Sequence, residues 1–124
     1  MSEMLLYTGS AIIIIWGIAH LIPTGAIVKG FGEISEDNKK IIAMESIAEG
    51  ITLCFLGILV ILVTSLGDSE SQTASIAYFS VVAMLLIMAV LTVLTGARTS
   101  LLPYKICPFI KTLVASLIFL GAAL

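Results

Sequence analysis

Four apolar runs, at about 4–28, 41–66, 74–97 and 106–124, follow one another with only short polar segments between them. Each is close to or above the ~20 residues with which a helix crosses a bilayer core. The composition points the same way: 60% of the chain is hydrophobic and 11% charged, where soluble domains are about 45–50% apolar and ~25% charged. A soluble fold of this length still exposes about a third of its unfolded surface and could not hide that much apolar side chain. A soluble enzyme, a nucleic-acid binder and a disordered tail are therefore excluded. The expectation is an all-α integral membrane four-helix bundle, a single four-span domain over 1–124 whose first partner is the lipid bilayer.

The connecting segments, KGFGEISEDNKK, GDSESQT and RTSLLPYK, are too short to be domains. All six Lys and Arg residues lie at one set of ends: Lys29, Lys39, Lys40, Arg98, Lys105 and Lys111. By the positive-inside rule, loops 29–40 and 98–105 are expected to be cytoplasmic and both termini to lie on the non-cytoplasmic side of a cell membrane. Because Met1, Ser2 and Glu3 carry no positive charge and the first run is long, it reads as a retained helix rather than a signal peptide.

Pro23 falls inside the first run, lacks an N–H and clashes with the carbonyl of Ala19, so a kink is expected over 19–23. Pro103 and Pro108 flank the expected start of the fourth span, where proline is tolerated. Asp37 or Asn38 is expected to cap the second span. Small residues Ala43, Ser46, Gly50, Cys54 and Gly57 share one face of that span and predict close approach of a neighbouring helix. Ser80, Thr92, Thr95 and Thr99 can bond across helices or back to their own carbonyls. Tyr7 and Tyr104 suit interfacial belts, and Trp16, deeper, is expected to pack. Cys54 lies about 13 residues, or ~20 Å, into its span. Cys107 is expected at the cytoplasmic surface as a reduced thiol, so no disulfide joins them.

Ionisable groups inside spans are costly and usually face the bundle interior. Here they are His20, Glu45, Glu49, Arg98 and Lys111, which the predicted topology gathers in one layer of the cytoplasmic half. Glu45 and Glu49 share an i, i+4 face. A structural clamp of Glu45 and Glu49 with Arg98 and Lys111 is one reading. A binding site for a lipid, quinone or other small amphipathic ligand is another, and a proton or ion pathway through Glu49, Glu45 and His20 a third. A metal site is not expected from one His and two Glu on different helices, compared with the Glu-x-x-His pairs of di-iron bundles. No cofactor motif and no catalytic residue set is legible.

The sequences WGIAH in the first span, AEGITLCFLGILV in the second and LTGARTS at the end of the third resemble the DoxX-like superfamily of small four-helix membrane proteins. That resemblance covers the whole chain and implies an accessory role or an association with quinone-dependent oxidation. No site residue is carried over from it. Small multidrug transporters are similar in size and span number, but they place an essential acid in the first span, where this chain has His20. The function expected is a small non-catalytic membrane protein, accessory, scaffold or ligand-binding, with a homo-oligomer or a larger membrane complex as further partners. A proton- or ion-coupled transporter and a quinone-interacting subunit of a membrane oxidoreductase are the alternatives.

Overall fold

A computed structural model describes residues 2–99 and 102–124; Met1 and residues 100–101, the latter two in the expected loop 98–105 and the first of these the end of the LTGARTS stretch, lie outside it. The described chain is all-helical. It comprises α1 (Glu3–Leu21), α2 (Thr24–Gly30), α3 (Glu36–Leu66), α4 (Gln72–Leu94), a short 3-10 turn (Gly96–Arg98) and α5 (Leu102–Ala123). Among the described residues four helices are long and apolar enough to cross a membrane: α1, α3, α4 with its 3-10 turn, and α5.

The expected first span is two helices. Helix α1 stops at Leu21 and α2 restarts at Thr24, because Pro23 has no N–H to offer Ala19. Thr24 Oγ1 donates to the His20 carbonyl at 3.1 Å, and the Ile27 amide donates to the Pro23 carbonyl at 2.9 Å, so hydrogen bonding resumes directly after the break. The other spans begin earlier than hydropathy suggests. Ser35, rather than Asp37 or Asn38, caps α3: its side chain accepts from the Asn38 amide at 3.1 Å. Glu36 and Asp37 then occupy the first turn, where negative charge suits the helix dipole. Ser71 caps α4 in the same way, through the Ala74 amide. Helix α5 starts at Leu102 and encloses both Pro103 and Pro108.

Helix α1 packs mainly against α3 and α5, α4 packs against α5, and the α3–α4 contact is smaller. The small-residue face of α3 makes the α1–α3 approach possible. A Cβ on Gly50 would stand 2.8 Å from the Gly17 carbonyl oxygen, and one on Gly57 2.9 Å from that of Ser10, contacts that no side chain survives. The core runs through Leu6, Ile13, Leu53, Val60, Tyr78, Leu85, Val114 and Ile118. Large apolar residues such as Ile15, Phe55, Ile87 and Phe109 face outward on every long helix, an inside-and-outside apolarity compatible with membrane-spanning helices. The chain ends meet where the Ser2 amide donates to the Gly121 carbonyl at 2.8 Å. The polar cluster lies toward the opposite end, where α1 gives way to α2.

Candidate functional site

Three helices supply the site by their buried faces. On α1 the buried positions Ile13, Gly17 and His20 recur at helical spacing. Helix α5 buries Cys107, Lys111, Val114 and Ile118 at spacings of four, three and four, so Cys107 and Lys111 share a face one turn apart. Glu49 sits beside Gly50 on α3 and is half-buried, its side chain 28% exposed, while Lys111 has 0% exposure.

Lys111 is the centre of the charge arrangement. Its ammonium pairs with Glu49 Oε1 and donates to Thr92 Oγ1 at 3.0 Å. Thr92 in turn donates to the Met88 carbonyl at 2.8 Å. A buried lysine is tolerated only when its charge is balanced and its protons are taken up, and α3 and α4 meet both requirements. The other Glu49 oxygen, Oε2, lies 3.8 Å from His20 Nε2.

His20 is oriented by its own helix. Its Nδ1 lies 2.9 Å from the Trp16 carbonyl; a carbonyl only accepts, so Nδ1 carries the proton, and in the neutral ring Nε2 presents its lone pair. Cys107 Sγ is 3.9 Å from that nitrogen, and the Trp16 indole N–H donates to the same sulfur at 3.2 Å. The Trp16 and His20 rings meet edge-on with centroids 5.6 Å apart. Trp16 therefore holds the imidazole through its backbone and the thiol through its side chain.

Of the residues singled out from sequence, His20, Glu49 and Lys111 come together. Glu45 and Arg98 stand apart: both are exposed, and Glu45 makes no hydrogen bond or ion pair among the described residues. Glu45 lies one turn nearer the start of α3 than Glu49, at the level of Ser46, whose hydroxyl stands 3.5 Å from that of Thr24 on α2 rather than against α1. Cys107 is corrected from a surface thiol to one only 1% exposed, because α5 begins at Leu102 and carries it into the bundle. Both cysteines are free; Cys54 faces the α1 backbone, its sulfur 3.7 Å from the Ile14 carbonyl. Sequence reasoning missed Cys107, Trp16 and Thr92 as members of the cluster. The i, i+4 relation of Cys107 to Lys111 was the available signal.

Beside the cluster opens a cavity of about 540 Å³, lined by Trp16 and His20 of α1, Pro23, Ile27 and Phe31 around α2, and Tyr104 of α5. Its wall is almost wholly apolar, with the His20 imidazole and the Tyr104 phenol among its polar groups. That volume lies within the roughly 300–1,000 Å³ of small-molecule sites. No family model, curated protein or solved structure matches the chain.

Proposed function

We propose that this is a multi-pass cell-membrane protein of non-catalytic, ligand-binding or accessory type, and that it holds a small amphipathic molecule in the α1–α2–α5 cavity. The observation that carries the reading is the cavity itself: an apolar, aromatic-lined volume of about 540 Å³ with few polar side chains, His20 and Tyr104 among them, on its wall. Such a lining favours an apolar body, and an imidazole beside an indole favours a hydrogen-bonding head group. A quinone and a lipid head group share that chemistry. The break at Pro23 supports the reading physically, since α2 and its flanking residues form one side of the space that a continuous α1 would not enclose.

In the same reading, loops 29–40 and 98–105 are cytoplasmic and both termini are not, which is supported by the one-sided distribution of all six Lys and Arg residues. The resemblance to the DoxX-like superfamily is taken as kinship. A second reading, proton-coupled transport, is favoured by one contact: Glu49 lies between the ammonium of Lys111 and the imidazole of His20. It requires that Glu49→Gln abolish pH-driven flux in proteoliposomes while the protein still folds.

Trp16 is the single tryptophan of the chain and lines the cavity, so its fluorescence reports occupancy. A short-chain ubiquinone analogue and a brominated phospholipid are titrated separately into the purified protein. Saturable quenching by either one, weakened in His20→Phe, supports the binding reading and identifies the source of the head group. Linear, non-saturating quenching by both, identical in His20→Phe, overturns it.

A further inference from the structure

We propose that His20, Glu49 and Cys107 form a binding site for one divalent transition-metal ion of the zinc class. The three donor atoms, an imidazole nitrogen, a carboxylate oxygen and a sulfur, lie within 4.8 Å of one another and come from three different helices. His20 Nε2 is 3.8 Å from Glu49 Oε2 and 3.9 Å from Cys107 Sγ. Around a tetrahedral zinc ion such donors stand roughly 3.3–3.6 Å apart, from metal–ligand bonds of about 2.0–2.3 Å. The two separations from His20 need to close by a few tenths of an ångström, and the Glu49–Cys107 pair, within 4.8 Å, by at most about 1.2 Å, distances that side-chain rotation can cover.

The surroundings of the three donors carry the argument further than the donors alone. A metal-binding histidine commonly donates its remote N–H to a backbone carbonyl, which fixes the tautomer and aims the other nitrogen at the metal. His20 does this through Trp16 O. The Trp16 indole N–H is directed at Cys107 Sγ, a contact that stabilises thiolate sulfur. Lys111 engages Glu49 Oε1 and leaves Oε2 turned toward His20. The mixed sulfur and nitrogen donors select against calcium and magnesium, which take oxygen ligands. The cavity reaches the cluster at His20, and the partly exposed Glu49 gives a second approach.

The charges balance as follows. Before binding, Glu49 carboxylate offsets Lys111 ammonium and Cys107 is a thiol. On binding, the Sγ–H bond breaks, the proton leaves to solvent, and thiolate and carboxylate together match the two charges of the ion. Lys111 then stands as a neighbouring positive charge that lowers affinity. Its isosteric replacement by Met therefore tightens metal binding, the reverse of what a purely structural lysine predicts. This inference does not depend on the amphipathic ligand: a failure of metal binding leaves the Trp16 quenching experiment unaffected, and the converse holds.

The test uses the full chain in detergent micelles with Co²⁺ as the spectroscopic probe. Expected are a thiolate-to-cobalt charge-transfer band in the near ultraviolet that saturates at one equivalent, and its loss on adding Zn²⁺. The band persists in Cys54→Ser and disappears in Cys107→Ser. Trp16→Phe weakens Co²⁺ binding roughly 10–100-fold, and Lys111→Met strengthens it. Should Cys107→Ser not fold, the Cys54→Ser protein answers alone: its thiolate-to-cobalt band can come only from Cys107, its one remaining thiol. Absence of the band, its survival without Cys107, its dependence on Cys54, or weaker binding in Lys111→Met each overturns the proposal.

Discussion

Lys111 is wholly buried, yet its ammonium has a carboxylate and a hydroxyl as partners. Removing one member of such a pair strands the other charge in a low-dielectric interior, at a cost of about 3–5 kcal/mol. Glu49→Gln and Lys111→Met should each lower stability by that order, measured by denaturant unfolding in micelles without added metal. The double variant should recover most of the loss, since no unpaired charge remains, and the coupling in the four-way comparison should be large. These two residues and His20 were legible in the sequence because a charge inside an apolar run stands out against its neighbours. Cys107 and Trp16 were not, because thiol and indole count as apolar in any hydropathy reading, and their polarity shows only in contact with each other.

The elements are shaped by their ends and their smallest residues. Hydropathy placed the start of the second span at 41, five residues late, because Ser35, Glu36 and Asp37 are polar and nevertheless form a cap and a first turn. Ser35→Ala should cost about 1 kcal/mol, read as earlier fraying of α3 by amide hydrogen exchange over 36–40. Steric effects at the α1–α3 seam are far larger. Gly50→Val would drive its side chain into Leu21 Cδ2 at 2.7 Å and the Gly17 carbonyl oxygen at 2.8 Å. It should collapse thermal stability and release the 1:1 register of His20 with Glu49. Gly25→Ala, where a Cβ meets nothing within 4 Å, should leave the melting temperature unchanged. The small-residue spacing announced this seam; the partner helix was not written in α3.

At the scale of the whole molecule, the helices alternate so that the termini meet at one end while the polar cluster lies toward the other. The proposed orientation makes a direct prediction. Glu70→Cys, in the exposed turn before α4, should react with a membrane-impermeant maleimide in intact cells, and Glu33→Cys should react only after permeabilisation. The reverse pattern would invert the protein in the membrane. The native thiols interfere little, since Cys107 is buried and Cys54 is partly covered by α1.

The chain by itself determined that it has four apolar runs long enough to cross a membrane, and that a few ionisable groups stand inside or at the ends of them. Those properties are sums along the sequence, of apolar area per turn and of charge per loop, and need no knowledge of what touches what. Only the tertiary structure decided that Glu49 and Lys111 face each other, that Glu45 and Arg98 stay outside, and that Cys107 joins His20. Such meetings depend on how each helix is rotated about its axis and how closely glycines let backbones approach. A rotation of one residue, about 100°, would exchange Glu49 for a neighbour and dissolve the site, with hydropathy unchanged.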